Sequence, residues 1–181
     1  MRRQRLHGFT LLELLVVLLI AALLWSLALP ALGEAIARHH LRAAVDDLVQ
    51  TLQKARSTAV WRDRETQVCA SDDGRTCSPL ADWTLGWIGR DAGDGDGDGN
   101  VFTATPRLHA KLAATRRPGR PKVDFTPSGT SPGTNQTIVL CVRGHAATAV
   151  AVVVGNAGQP RRESAAQADA ALCAGDSSRM R

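Results

Sequence analysis

Glu13 is the residue whose type and place most demand a chemical account. From Leu14 to Leu32 only Ser26 and Pro30 are not plainly apolar, which is enough for a membrane-spanning helix of roughly 20 residues, slightly longer if it begins at Phe9. A carboxylate within such a span costs on the order of 2.5–3.5 kcal/mol on insertion scales, so Glu13 needs a charge partner or a function. Arg2, Arg3 and Arg5 make a basic start ahead of it, and Gly8 stands directly before Phe9-Thr10-Leu11-Leu12-Glu13. An ordinary secretory signal carries its small residues after the apolar core and loses that core on cleavage. Here the small residue precedes the core, so the cut falls before it and the apolar helix stays with the mature chain.

Cys69, Cys77, Cys141 and Cys173 are the next reactive set, and all lie beyond the apolar run. The positive-inside rule keeps the basic start in the cytoplasm and sends the rest across the membrane, where disulfides persist. Four cysteines allow three connectivities, and sequence alone selects none of them. The favoured pair is Cys69–Cys77, a local loop with seven intervening residues, and Cys141–Cys173, which ties the C-terminal tail to an expected strand. Zinc is disfavoured because the close cysteine pairs of structural sites are absent.

Other candidate chemistry is thinner. Carboxylates alternate with glycine in Asp94-Gly95-Asp96-Gly97-Asp98-Gly99, as in the opening of a calcium loop. The twelfth position is Thr105, however, where an EF-hand has a bidentate glutamate, and a flexible acidic hairpin loop is the plainer reading. No metal or cofactor is expected. His39 and His40 point to different faces of a helix, and His109 and His145 have no recognisable partner in sequence. His-Glu-x-x-His and a phosphate-cradling loop ending in Lys-Ser/Thr are missing, so the chain is not read as an enzyme. Ser128 and Ser131 sit in a Pro/Gly-rich turn, where hydroxyls cap the backbone. Two basic groups bear on partners: Arg116 to Lys122, in a loop, and Arg161-Arg162 after the last hydrophobic strand.

Charge does not choose a partner. The 181 residues carry a formal +5, but loss of Arg2, Arg3 and Arg5 with the leader takes 22 basic residues to 19 against 17 acidic ones, or about +2. That length suits one domain on a long helix.

The elements that must position these residues follow from periodicity. Past Pro30 and Gly33, Leu41, Val45, Leu48, Leu52, Ala55 and Ala59 recur every three or four residues, opposite Arg38, Arg42, Asp46, Gln50 and Lys54. This is an amphipathic helix that leaves the membrane and packs on a globular domain. A helix from Phe9 to about Trp61 would run on the order of 80 Å at 1.5 Å per residue, with a kink at Pro30. Beyond Glu65 the pattern predicts strands at Thr66–Ala70, Trp83–Ile88, Val101–Thr103, Leu108–Ala113, Lys122–Phe125, Ile138–Arg143 and Ala147–Val154, the last two forming a hairpin. One antiparallel sheet of six or seven strands on one helix is an α+β domain. The Ala-rich tail from Ser164 has Cys173 as its only evident tether and is expected to be mobile beyond it.

The stretch from Arg2 to about Pro30 resembles the start of type IV pilins and of the pseudopilins of type II secretion: a short basic leader ending in glycine, a Phe-Thr-Leu-Leu-Glu start and an apolar span. The resemblance implies cleavage between Gly8 and Phe9 by a prepilin peptidase and methylation of the new Phe9 amine. It also implies pairing of Glu13 with the free amine of a neighbouring subunit during assembly, which would supply the missing charge partner. Cys69, Cys77, Trp83 to Trp87, Asp91 to Asn100, Phe125 to Gly129 and Ile138 to Val154 resemble in order the pieces of the GspH/FimT subgroup.

The implied fold is pilin-like α+β, a long N-terminal helix with its first half membrane-spanning, packed on an antiparallel β-sheet domain. The implied divisions are a leader (1–8), the transmembrane and assembly half of the helix (9–32), its amphipathic half (33–61), the β domain (62–163) and a tail (164–181). The partners would be prepilin peptidase, other pilin or pseudopilin subunits and the inner membrane, crossed once with the C-terminal domain in the periplasm. The destination would be a type IV pilus or a type II secretion pseudopilus. Gly158-Gln159-Pro160-Arg161-Arg162 resembles the Gly-Arg-x-Arg motif of DNA-uptake members. Gly158 and Arg161 match, Gln159 replaces the first arginine, and Arg162 could restore the charge. Double-stranded DNA is therefore the alternative partner, held by salt-sensitive phosphate contacts.

Overall fold

The computed structural model describes residues 10–78, 82–93, 99–119, 121–133 and 135–175, the side chains of residues 26–31 excepted. The chain divides into two compact units, one ending at Ile36 and the other beginning at Ala37. A single helix, α1 (Leu11–Arg62), contributes to both. Its assignment runs through Pro30. The kink expected there falls among the residues whose side chains lie outside the description.

Thr10 opens α1. Its hydroxyl accepts the backbone N–H of Glu13 at 3.2 Å and its carbonyl accepts that of Leu14, so Thr10-Leu11-Leu12-Glu13 has the spacing of a capping box, with an acidic residue in the positive first turn. Large apolar residues stand exposed around every side of the first unit's helix. The helix ends where Asp63 takes a left-handed conformation (φ 50°) and Arg64 N–H returns to the Ala59 carbonyl, the usual way of satisfying last-turn carbonyls.

In the second unit, the stripe Ala37, Leu41, Val45, Leu48, Leu52, Ala55 and Ala59 is buried, as the periodicity predicts. Among the described residues eight strands follow: β1 (Thr66–Ala70), β2 (Trp87–Asp91), β3 (Val101–Thr105), β4 (Leu112–Arg116), β5 (Lys122–Phe125), β6 (Gln136–Val142), β7 (His145–Val154) and β8 (Pro160–Ser164). They form two antiparallel four-stranded sheets, ordered β3-β2-β1-β5 and β4-β6-β7-β8, rather than the one larger sheet expected. Strand-like runs reveal that strands exist but not which of them pair. A short helix, α2 (Gln167–Ala174), completes the chain's described part.

Both sheets contribute to one core. Val68, Trp83, Trp87, Phe125, Ile138, Leu140 and Val152 pack with the buried stripe of α1. Polar contacts fix the helix to the strands: the Thr66 hydroxyl donates to the Ala55 carbonyl at 2.9 Å, Lys54 Nζ to the Phe102 carbonyl at 2.8 Å, and Arg56 Nε to the Gly129 carbonyl at 2.8 Å. The opposite face of the second sheet is also covered. Ala113, Val139, Cys141 and Ala151 pack with Cys173 and Ala174 of α2, which is why β6 is buried along its whole length and reads as a continuous apolar run.

Three expectations need correction. Trp83–Ile88 is not one strand: the Asp82 carboxylate caps the N–H of Thr84, a 3-10 turn occupies Trp83–Leu85, and β2 begins only at Trp87, after Gly86 at φ 112°. A side chain at Gly86 would meet the Thr105 carbonyl at 2.3 Å. Leu108–Ala113 begins instead as a turn, closed by Leu112 N–H on the His109 carbonyl at 2.8 Å, and the strand starts at Leu112. Finally, Pro160–Ser164 is an edge strand, and the tail holds a helix packed on the sheet.

Candidate functional site

Gly8 and Phe9, the expected processing and assembly residues, lie outside the described residues, and so do Asp94 to Asp98 of the acidic loop. Glu13 is exposed at the start of α1, surrounded by Leu11, Leu12, Leu14 and Leu15, which are 58–78% exposed. Among the described residues no basic side chain pairs with it. Also among the described residues, no helix is long and apolar enough to cross a membrane. Leu11 to Trp25 rises about 22 Å at 1.5 Å per residue, short of a hydrocarbon core of about 30 Å. The residues that continue the apolar sequence are those whose side chains are not described.

Both cysteine pairs are disulfides. Cys69 of β1 joins Cys77 with 5.6 Å between Cα atoms, and Cys141 of β6 joins Cys173 of α2 with 6.1 Å. Inside the first loop Asp73 organises the turn. Its carboxylate accepts the N–H groups of Thr76 and Arg75 at 2.8 Å each and the Thr76 hydroxyl at 2.7 Å. These donors hold the Asp73 carboxyl well below the usual carboxylate range, the Thr76 N–H foremost.

Around the second bridge, Arg117 grips Asp169 in the first turn of α2 through Nε at 2.8 Å and Nη2 at 2.7 Å. That partner raises the Arg117 guanidinium above its ordinary value. The described basic residues of the run Arg116 to Lys122 are each engaged: Arg117 by Asp169, Arg116 by the carbonyls of Arg117 and Gly119, and Lys122 by the Gln67 side chain and Asp124, while Arg120 lies outside the described residues.

Arg161 and Arg162 alternate along β8 and are each engaged. Arg161 pairs with Glu163 on its own strand, and Arg162 pairs with Asp46 of α1. They do not form a joint patch. Gly158 has a structural reason instead: at φ 72°, a side chain there would stand 2.1 Å from the Gly129 carbonyl. The glycines of the Phe-x-Pro-x-Gly turn and of the Gly158 turn are thus back to back, a relation no local pattern announces.

Sequence reasoning left His109 without a partner. It stacks on His40 of α1, ring centroids 4.5 Å apart and 8° from parallel. Next to that stack the Thr105 hydroxyl donates to the Asp47 carboxylate at 2.5 Å. Residues 69 positions apart carry no periodic signal of such contact. Among the described residues, no group of three His, Cys, Asp or Glu side chains could hold a metal ion.

A helix opened by a Thr-Leu-Leu-Glu cap, its later turns packed on two antiparallel sheets, is the build of a pilin-like filament subunit. Two crystal structures of the type IV minor pilin FimU of Pseudomonas aeruginosa share this fold with TM-scores of 0.56 and 0.57 at 24% identity, covering 67% and 72% of this chain and 91% and 92% of theirs. The minor pseudopilin EpsH of the Type 2 Secretion System of Vibrio cholerae shares it with a TM-score of 0.52 at 15% identity, over 69% of this chain and 97% of its own. Among curated proteins none matches. Residues 3–29 match the prokaryotic N-terminal methylation motif, and residues 44–158 match the Type II transport protein GspH family. The chain belongs to the GspH family of minor pilins and pseudopilins, whose members are structural subunits.

Proposed function

We propose that this subunit is made with a leader of residues 1–8, cut between Gly8 and Phe9 by prepilin peptidase, methylated at the Phe9 amine, and held in the inner membrane by residues 9–32 with the domain from residue 62 in the periplasm. It then enters a type IV pilus or a type II secretion pseudopilus through α1. Glu13 of one subunit pairs with the Phe9 amine of the next. The observation that carries this reading is the methylation motif at residues 3–29 standing ahead of the GspH match at 44–158 on one chain. The exposed apolar surface of the first unit adds support, since it needs lipid or neighbouring helices around it.

The test uses the full chain expressed with its peptidase and filament machinery. Gly8→Val should leave the leader in place; a mature form of that variant starting at Phe9 refutes the assigned cut. Glu13→Val should be cleaved normally but enter filaments about tenfold less or worse, as expected when one partner of a desolvated ion pair is removed. Normal incorporation sinks the role given to Glu13. Capture of double-stranded DNA by Arg161 and Arg162 is the competing reading on the same scaffold. It gains little from β8, where both arginines already answer a carboxylate. A salt-sensitive complex with short duplex DNA, lost in Arg161→Ala/Arg162→Ala, would revive it.

A further inference from the structure

Lys111 and Arg143 are brought side by side by the second sheet. The Arg143 N–H donates to the Lys111 carbonyl at 2.9 Å, one step beyond the Leu112–Val142 pair of the β4–β6 ladder. Residues directly opposite in antiparallel strands have Cβ atoms about 5 Å apart, and like charges placed there oppose one another. Both residues are exposed, and among the described residues neither side chain meets a carboxylate. Arg107 is a third exposed cation without a partner among them. It lines one cleft with His40, Asp47 and His109, and the Lys111 N–H donates to His109 Nδ1 at 3.3 Å. Two carboxylates border this corner. Asp47 accepts the Thr105 hydroxyl, and Asp82 accepts the N–H of Thr84, whose carbonyl in turn accepts the Leu108 N–H. Asp72 and Asp73 belong to the Cys69–Cys77 loop of the first sheet. The corner of the second sheet thus sets three cations against two carboxylates that already hold donors.

Its place within the second unit is defined. His109 stacks on His40, and just after the β6–β7 turn that carries Arg143, Ala147 and Thr148 line a groove with Arg38 and Leu41. The corner therefore lies where α1 enters this unit, which begins at Ala37. The opposite end is marked by Gly129 and Gly158, with Arg56 bonded to the Gly129 carbonyl. His40 stands eight residues after Leu32, where the apolar run ends. Eight residues reach at most about 29 Å even when fully extended, so anchoring residues 9–32 keeps this corner within reach of the bilayer surface. The cations stand on turns rather than in a pocket, which suits a surface of many phosphates over a single ion, and the tether selects the membrane among such surfaces. We infer that Arg107, Lys111 and Arg143 rest on the anionic headgroups of the membrane that holds the subunit and so fix how its domain stands there. The inference rests on the membrane-anchored reading above.

The test places the full chain in nanodiscs of phosphatidylcholine with or without phosphatidylglycerol and reads amide exchange by mass spectrometry. Residues 107–111 report the corner, and the β7–β8 turn at residues 155–159 serves as a reference for the far end and for intact folding. Each Lys or Arg at an anionic surface contributes about fivefold, so phosphatidylglycerol should slow exchange at 107–111 by more than about twenty-fivefold and leave 155–159 unchanged. Lys111→Gln/Arg143→Gln should cut that slowing to about fivefold or less. Arg64→Gln/Arg75→Gln removes the same charge at exposed positions elsewhere and should alter it by less than about twofold. Equal exchange in the two kinds of disc, or equal losses in the two variants, overturns the inference. So does release of the corner by millimolar inorganic phosphate or by short duplex DNA at constant ionic strength, which would make it a phosphate-ion or nucleic-acid site. A chain that enters the discs without lipid-dependent slowing defeats the headgroup contact alone, whereas one that fails to enter them defeats the membrane-anchored reading with it.

Discussion

Leu18 and Leu24 of the first half of α1 are 58% and 63% exposed, whereas Leu48 and Leu52 of the second half have no exposed surface. All four are leucines in one helix, so propensity does not separate them. Spacing does. Around Leu18 apolar residues follow one another on every side, and around Leu48 they recur every third or fourth position with Asp46, Asp47 and Gln50 between. A helix apolar all round requires an apolar medium all round, but a striped helix requires a single packed face. The two halves are thus written for different solvents, and only the second has its own within the described chain.

Leucine truncation would break this comparison most directly. Leu52→Ala opens a cavity in the core and should cost about 2–5 kcal/mol of domain stability, read by denaturant unfolding of the full chain in detergent. Leu18→Ala should leave that transition where it is. Equal losses would mean that the first half also carries the domain. Next come the disulfides. On loop-closure entropy alone, Cys141→Ser/Cys173→Ser should cost about 3.7 kcal/mol and Cys69→Ser/Cys77→Ser about 2.5, because their sequence separations are 32 and 8. The order should reverse only if Asp73's turn contributes more than α2's docking, which would move the weight of stability toward β1.

The smallest effect is expected at Asp73. Its carboxyl titrates lower in the folded chain than its ordinary value of about 3.9, so its contribution is present above that value and is lost as pH falls below about 4. Asp73→Asn should be slightly less stable than wild type at neutral pH, with the two unfolding curves converging as the solution is acidified below pH 4. A constant difference down to pH 2 would remove the carboxylate from the account. None of these three changes should affect processing at Gly8.

Much of the domain was legible because its elements satisfy local rules. The three-four spacing of α1, the alternation in β5 and the hairpin of β6 and β7 are each visible within about twenty residues. Other parts are not written locally. Pro160-Arg161-Arg162-Glu163-Ser164 has no apolar alternation, because an edge strand with four exposed residues needs none and Pro at its first position loses no ladder bond. The eight residues of α2 start after Ala166, whose side chain makes no cap. Its signal is only an alanine-rich tail, and its stability comes from Cys173 and Asp169 reaching across to β6 and Arg117. The division into two sheets and the His40–His109 stack belong to long-range pairing. At the site itself, Glu13's oddity was plain in the sequence, but its share in a helix cap with Thr10 was readable only as a four-residue pattern that the apolar run obscures.

The charges of β8 have another effect once many such domains stand side by side. A filament holds its subunits at very high local concentration, which is the condition under which an unpaired sheet edge recruits a strand from a neighbour. Among the described residues β8 pairs only with β7, and its exposed residues are Arg161, Arg162, Glu163 and Ser164. Any strand laid against that edge would have to desolvate two arginines and a glutamate and part them from the carboxylates and guanidinium they now hold. The edge therefore acts as insulation, letting folded domains crowd together without their sheets merging.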